Sequence, residues 1–447
     1  MALRITVIGT GYLGATHAAA MAELGFEVLG LDIVPEKIEM LSAGRVPMYE
    51  PGLEEILQKH VAGIEGSTGR LRFTTSWEEA GTFGDVHFVC VNTPQKHGEY
   101  ACDMSYVDSA FESLAPHLTR PALVVGKSTV PVGSAARLSR RLAELAPAGT
   151  DAELAWNPEF LREGFAVKDT LHPDRIVIGV ESERAEKTLR EVYAGPIAEG
   201  SPFVVTDFPT AELVKTSANS FLATKISFIN AMAEVCEAAD GDVVKLAEAI
   251  GYDERIGKKF LRAGVGFGGG CLPKDLRAFM ARAGELGADQ ALTFLREIDS
   301  INMRRRGHMV ELAREAVGGD SFLGKRVAVL GATFKPDSDD VRDSPALNVA
   351  GQIHLQGGQV TVYDPKGMEN ARKLFPTLGY AGTALDAVRG ADVVLHLTEW
   401  REFRELDAVE LGKVVGRPII LDGRNALDPA VWREAGWTYR AMGRPKA

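Results

Sequence analysis

The stretch Ile5-Thr6-Val7-Ile8-Gly9-Thr10-Gly11-Tyr12-Leu13-Gly14 decides how the first part of the chain folds. Residues 4–8 form a short run rich in β-branched side chains, and residues 14–24 are Ala-rich and helical. Gly25-Phe26-Glu27-Val28-Leu29-Gly30-Leu31-Asp32 then reads as a turn and a second strand. A G-x-G-x-x-G alone carries little weight, because glycines at that spacing also arise in ordinary strand-to-helix turns. Here Gly9, Gly11 and Gly14 follow a strand, open a helix and precede a second strand ending in an acid. That context predicts a dinucleotide site: a tight turn, close backbone approach to a pyrophosphate and a helix N-terminus facing the anion. Asp32 would accept hydrogen bonds from the adenosine ribose and repel a 2′-phosphate, favouring NAD over NADP.

Working outward, residues 86–91, 123–126 and 176–180 are further strand candidates separated by helical stretches, which predicts a parallel sheet covered on both faces. The texture changes near Asp207. Residues 210–239 contain neither Pro nor Gly and read as one helix capped by Asp207 or Thr210. Its apolar residues, among them Leu213, Phe221, Phe228 and Val235, surround most of the circumference, predicting burial between domains or across a subunit interface. Helical patterns continue to about Val317, interrupted at residues 264–270. The α/β pattern then returns with strands at residues 325–330, 392–397 and 418–422, and residues 357–364 echo the segment ending in Asp32. The expected fold is α/β: two Rossmann-like doubly wound domains joined by a helical central domain with a long core helix. The expected boundaries are 1–206, 207–317 and 318–447.

Composition agrees with several domains, since 447 residues at roughly 100–200 per domain make two or three. No apolar run approaches the roughly 18 residues of a membrane helix, and Arg4 is followed by a folded strand rather than a cleavable leader. A cytoplasmic enzyme that does not bind membranes is expected. The net charge of −11 argues against a nucleic-acid partner. Cys90, Cys102, Cys236 and Cys271 are too few and too scattered for a disulfide framework or a zinc site.

Three constellations carry chemistry. Val91-Asn92-Thr93-Pro94 and Lys127-Ser128-Thr129-Val130-Pro131 each follow a strand, at the sheet edge where ligands bind, although ordinary Pro-punctuated turns would read the same way. Lys215 and Asn219 are four apart on the long helix and share a face, a pairing able to stabilise an oxyanion but also common on exposed helices. Gly264-Val265-Gly266-Phe267-Gly268-Gly269-Gly270-Cys271-Leu272-Pro273-Lys274-Asp275 is the most informative stretch. Pro273 suits the first turn of a helix, which places Cys271 just ahead of a helix N-terminus with Lys274 nearby, favouring thiolate. Asp275 lies one turn on. Cys90 and Cys236 fit buried, inert roles, and Cys102 falls in a loop without an evident partner. NAD together with a reactive thiolate permits oxidation from alcohol or aldehyde to the acid level through a thioester.

At these residues the chain resembles the UDP-glucose 6-dehydrogenase family, within the UDP-glucose/GDP-mannose dehydrogenase superfamily. The likeness spans nearly the whole chain. It includes Asn157-Pro158-Glu159-Phe160-Leu161-Arg162-Glu163-Gly164, Phe334-Lys335-Pro336-Asp337, Asp340-Val341-Arg342-Asp343-Ser344 and Asp422-Gly423-Arg424-Asn425. The resemblance implies that UDP-glucose, two NAD⁺ and water become UDP-glucuronate and two NADH. It assigns Cys271 as nucleophile, Lys215 and Asn219 to the oxyanion, Asp275 and Thr129 to a proton-accepting water, and Glu159 to thioester hydrolysis. It places Gly11, Tyr12, Leu13, Asp32, Lys37, Thr93, Thr129, Glu163 and Arg342 against NAD. Phe160, Leu161, Lys215, Asn219, Phe260, Gly268, Lys335 and Arg424 would contact the sugar nucleotide, and Arg255 would reach the partner subunit's site in a homodimer or higher oligomer. Gly270 stands where many members have Ser, and Leu272 where many have Phe. Relatives acting on GDP-mannose also carry a Cys-Leu-Pro-Lys-Asp stretch, so GDP-mannose or another nucleotide sugar is the alternative substrate. A single-step NAD-dependent alcohol dehydrogenase and a catalytically silent nucleotide-sugar sensor are the other readings.

Overall fold

A computed structural model describes residues 3–319 and 321–445. Two compact units divide the chain, one formed by Met1–Ala218 with Arg277–Leu286, the other by Asn219–Leu276 with Gly287–Ala447.

The first unit is built on eight strands: β1 (Arg4–Ile8), β2 (Glu27–Leu31), β3 (Leu71–Thr74), β4 (Val86–Val89), β5 (Ala122–Gly126), β6 (Ala152–Trp156), β7 (Ile176–Val180) and β8 (Phe203–Thr206). Their order is β3-β2-β1-β4-β5-β6-β7-β8. Inward-pointing residues alternate between the two faces. Ile5, Val7, Val28, Phe88 and Val125 pack into one buried cluster, while Ile8, Leu31, Val89, Val124 and Trp156 pack into another. Both faces are therefore covered, as the near-continuous apolar strands require.

The expectation of a wholly parallel sheet needs correction. β6 and β7 pair antiparallel, with Ala155 opposite Val180 and Trp156 opposite Gly179. The segment between them folds as loop plus the short helix Ala166–Leu171, which packs on the helix Tyr12–Glu23. The chain thus re-enters the sheet from the edge it left, and antiparallel pairing follows. A consequence for the site is that residues 157–164 stay at the carboxyl edge of the strands.

The second unit carries β9 (Arg326–Leu330), β10 (Gln359–Tyr363), β11 (Gly379–Tyr380), β12 (Val393–His396), β13 (Ile419–Asp422) and β14 (Thr438–Ala441), in the order β11-β10-β9-β12-β13-β14. All neighbours are parallel. This order repeats that of β1–β6, so the resemblance between the segments ending in Asp32 and Asp364 is a resemblance of position. The two acids differ in their surroundings. Asp364 Oδ2 accepts from the Ala332 (2.7 Å) and Thr333 (3.0 Å) N–H groups and from Trp400 Nε1 (3.0 Å), and Oδ1 accepts from the Lys366 (2.9 Å) and Gly367 (2.7 Å) N–H groups.

The long helix runs Phe208–Ala239, 32 residues or about 48 Å at 1.5 Å per residue. Asp207 caps its start by accepting from the Thr210 N–H at 2.7 Å. At its end Asp240 turns left-handed (φ +56°) and the Gly241 N–H returns to the Cys236 carbonyl at 2.8 Å. The apolar girdle expected to be buried is covered only in part. Phe221, Phe228 and Val235 are 66%, 47% and 58% exposed, and their seven-residue spacing aligns them along one stripe. Among the described residues, no helix is long and apolar enough to cross a membrane.

The Gly126–Trp156 contact gives a stability prediction. A Cβ on Gly126 would run into the Trp156 ring, which is fully buried and cannot move aside. Gly126→Ala is expected to cost about 1–3 kcal/mol, read as a lower thermal midpoint with the far-ultraviolet spectrum preserved.

Candidate active site

In the first unit the glycine-rich turn has the shape a dinucleotide needs. Gly9 adopts φ +84° after β1, and a Cβ there would lie 2.8 Å from Val91 Cγ1. A Cβ on Gly14 would collide with the Gly9 carbonyl, so helix and turn pack without room for a side chain. Gly11 is the opposite case. It caps the helix Tyr12–Glu23 with no side-chain bond, and none of the described residues beyond its chain neighbours and its own helix lies within 4 Å of where its Cβ would be. That open approach at a helix N-terminus fits a pyrophosphate. Asp32 follows β2 and is held in place by the Thr10 N–H (2.9 Å), Lys37 Nζ (2.7 Å) and the Val34 N–H (3.2 Å). Leu13 and Tyr12 open the same helix, while Thr93 (buried) and Thr129 (half-buried) follow β4 and β5. Cys102 is buried, with Sγ 3.9 Å from the Thr93 carbonyl, which corrects its reading as a partnerless loop cysteine.

The sequence reading missed Glu50. It is 4% exposed and accepts from the Gly164 and Ala166 N–H groups, both at 2.7 Å, and from the Tyr12 hydroxyl. It thereby ties Tyr12 to the segment carrying Glu163 and Gly164. No pattern around Tyr49-Glu50-Pro51-Gly52 signals this beyond an ordinary turn.

Glu159, Phe160 and Lys215 come together in this unit. Glu159 Oε1 lies 3.1 Å from Lys215 Nζ, and Oε2 accepts the Leu161 N–H at 2.8 Å. Both side chains are mostly buried. Phe160 presents its ring to Lys215 Nζ at 5.5 Å and to the Arg175 guanidinium at 3.8 Å. Beneath them Lys127 is buried and donates to Asn157 Oδ1 at 2.9 Å; burial pushes its ammonium down to about 8.

The second unit holds the cysteine loop. Cys271 is exposed and immediately precedes the helix Leu272–Glu285, as expected, with Pro273 in its first turn. Cys90 and Cys236 are buried, and burial pushes the Cys90 thiol up to about 12 and the Cys236 thiol upward. Asp275, one turn beyond Cys271, is 2% exposed. It accepts from Asn219 Nδ2 and from Lys274 Nζ, each at 2.7 Å. Asn219 and Asp275 are thus brought together, and Lys274 pairs with Asp275.

Four buried polar side chains fix this loop. The Asn302 amide accepts the Phe267 N–H (2.7 Å) and donates to the Phe267 carbonyl (3.0 Å), Asn230 Oδ1 accepts the Gly264 N–H (2.8 Å), and Arg305 and Arg306 donate to the Gly264 and Phe267 carbonyls. The loop also packs on residues 342–343: the Gly269 N–H donates to the Arg342 carbonyl at 2.9 Å, and a Cβ on Gly268 would strike the Asp343 carbonyl. A Cβ on Gly270 would strike the Arg342 guanidinium, which is held by Asp340 at 2.7 Å. Glycine at 270 and Arg342 in this position are mutually consistent.

Arg424 serves the same loop. Its guanidinium donates to the Leu397 (2.7 Å), Gly266 (2.9 Å) and Phe334 (3.1 Å) carbonyls, so much of its donor capacity braces backbone. Lys335 Nζ sits 5.4 Å from the Phe334 ring. Arg255 projects into solvent and pairs with Asp253 at 2.6 Å, and Phe260 is exposed with φ +63°. Among the described residues no group of three or more His, Cys, Asp or Glu side chains could hold a metal ion.

Three segments of the chain match consecutive domains of one family, the UDP-glucose/GDP-mannose dehydrogenase family: residues 3–196 its NAD binding domain, 209–304 its central domain and 328–429 its UDP binding domain. A UDP-glucose 6-dehydrogenase of Rhizobium meliloti (strain 1021) is 41% identical over 99% of this chain and 100% of its own length. A UDP-glucose dehydrogenase structure from Pyrobaculum islandicum superposes with a TM-score of 0.90 at 37% identity, covering 99% of this chain and 98% of that one. A UDP-D-ManNAc dehydrogenase from Pyrococcus horikoshii superposes with a TM-score of 0.86 at 28% identity over the full length of both. With a glycine turn shaped for a dinucleotide and likeness running from end to end, the chain belongs to the UDP-glucose/GDP-mannose dehydrogenase family of NAD-dependent oxidoreductases.

Proposed function

We propose that this enzyme oxidises UDP-glucose to UDP-glucuronate in two two-electron steps, with Cys271 as the covalent nucleophile. The observation that carries the reading is the exposed Cys271 at the N-terminus of the helix Leu272–Glu285, one turn from Asp275 and its partner Asn219. NAD, bound at the glycine-rich turn, supplies the hydride acceptor for each step.

The roles follow from the side chains. The C6 hydroxyl gives up its proton to a water organised by Asp275 and Thr129 as the first oxidation forms an aldehyde. The Cys271 thiolate, favoured by the helix N-terminus, adds to that carbonyl carbon and yields a thiohemiacetal. The Lys215 ammonium and Asn219 amide, four residues apart on one helix, donate to the oxygen bearing the developing charge. The second oxidation leaves a thioester. Glu159, oriented by the Leu161 N–H and Lys215, activates the water that releases the acid and returns Cys271 as thiol. Leu13, Tyr12, Lys37, Thr93, Glu163 and Arg342 are assigned to NAD, and Phe160, Leu161, Phe260, Gly268, Lys335 and Arg424 to the sugar nucleotide. The relative from Rhizobium meliloti supports UDP-glucose as the sugar.

We assign a three-part organisation at 1–206, 207–317 and 318–447, working in the cytoplasm as a two-fold dimer. The exposed stripe of Phe221, Phe228 and Val235 supports pairing through the central segment, and Arg255 would then reach the partner's site.

UDP-glucose, GDP-mannose and UDP-N-acetylmannosamine followed at the NADH absorbance should show turnover chiefly of UDP-glucose, with two NADH per sugar. Cys271→Ser should release no free acid. One NADH per sugar together with a fully active Cys271→Ala enzyme would overturn the mechanism. Asp32→Ala should raise KM for NAD by about tenfold, the loss of one charge-assisted ribose contact, and narrow its advantage over NADP in steady-state assays. Light scattering should report a dimer or larger species, and Phe228→Glu should shift it toward monomer.

A further inference from the structure

Lys127 directly follows β5 and Asn157 directly follows β6, and these strands are neighbours with Gly126 opposite Trp156. The pairing sets the two side chains together at the carboxyl edge. Lys127 Nζ donates to Asn157 Oδ1 at 2.9 Å and reaches the Tyr193 hydroxyl at 3.4 Å, while that hydroxyl donates to the same Asn157 oxygen at 2.6 Å. Asn157 is fixed at its other end too, its Nδ2 donating to the Val177 carbonyl at 2.8 Å and its N–H to the Gly126 carbonyl at 2.8 Å. Only Pro158, with its locked φ, separates this anchored residue from Glu159. A cavity of about 60 Å³ lies here, lined by Lys127, Asn157, Glu159, Tyr193 and His17 among others, large enough to admit water. His17 is buried, and among the described residues neither of its ring nitrogens has a hydrogen-bond partner.

A cation in such a place is costly without full compensation. Lys127 is 7% exposed, among the described residues no carboxylate bonds it directly, and the rings of Phe88 and Tyr193 lie 5.7 and 6.0 Å from Nζ. A lysine retained under those conditions, beside a residue assigned to hydrolysis, points to work beyond packing.

We propose that Lys127 is a positioning residue for the reaction: its ammonium anchors Asn157, through Asn157 sets where Glu159 presents its carboxylate, and adds a buried positive charge that attracts Glu159 and repels Lys215. The proposal rests on the assignment of Glu159 to thioester hydrolysis. The groups facing Lys127 are Cys90 at the end of β4, Glu159, Lys215 on the long helix, Tyr193, and His17 on the first helix. Burial dominates among them and brings its ammonium to about 8. Below that pH the cation is present, and above it the cation is lost well before an ordinary lysine would titrate.

The test compares wild type with Lys127→Met, which removes donor and charge, and Lys127→Gln, which keeps a donor and removes charge. With UDP-glucose and NAD⁺, Lys127→Met should lower kcat about 100-fold while both KM values stay within about threefold of wild type. Lys127→Gln should recover much of that rate, yet lack the inflection near pH 8 that the wild-type kcat profile shows. A Lys127→Met enzyme with wild-type kcat and pH profile, or variants that lower only the thermal midpoint, would overturn the proposal. A wild type inert toward UDP-glucose would instead contradict the proposed function. In that event the anchoring is still read by NMR: the Asn157 side-chain amide should shift with a midpoint near pH 8, and an amide resonance constant from pH 6 to 10 would overturn it.

Discussion

The hydrogen bonds that Asn302, Asn230, Arg305 and Arg306 make to the backbone of residues 264–267 hold the reactive loop in place. A stretch with so many glycines has few side chains with which to pack and loses more conformational entropy on ordering than other residues. Its geometry must be imposed from outside. Polar side chains drawn from two buried helix faces do this, and they can do so only because burial makes each unmade bond costly. Cys271 and the start of its helix inherit their position from that loop. Arg424, whose charge suggested an anion ligand, adds three carbonyl contacts to the same region.

The two sheets show how one architecture is turned to different ends. Both place an acid after their second strand, beside the turn that follows the first. Asp32 faces a turn in which Gly11 leaves open space at a helix N-terminus. Asp364 is enclosed by Thr333 and Trp400, with Oδ2 taken up by the Ala332, Thr333 and Trp400 N–H groups and Oδ1 by those of Lys366 and Gly367. An acid saturated in this way serves as a brace for the turn. How each acid is enclosed is decided by neighbouring side chains rather than by strand order.

Much of the architecture was legible in advance because it rests on local periodicity. The strands expected at 4–8, 86–91 and 176–180 form at 4–8, 86–89 and 176–180, and the helix expected over 210–239 forms over 208–239; these and the return of α/β pattern after residue 317 are written as runs of apolar residues and turn signals. The antiparallel return of β7 was not, since pairing direction depends on whether the intervening segment crosses a face of the sheet, and residues 157–175 carry helix and turn signals compatible with either. Glu50, Asn302, Arg305 and Arg306 escaped for a different reason, as did the burial of Lys127, which the sequence placed only at the ligand-binding edge of the sheet. A charged or polar residue inside a helical or turn pattern reads as solvated, and its burial becomes visible only through partners 30 to more than 100 positions away.

The sequence by itself determined which chemical groups are present and in what local frame: a glycine turn with Asp32 after the next strand, and a cysteine ahead of a proline-started helix. Those are properties of a few consecutive residues, fixed by backbone sterics and helix-end electrostatics. The tertiary structure alone decided which groups meet. It brought Glu159 to Lys215, Asn219 to Asp275, and Lys127 to Asn157, and it left Phe221, Phe228 and Val235 uncovered along the long helix. Such meetings depend on long-range closure of the chain, where burial and hydrogen-bond completion select one arrangement among many that the local pattern permits.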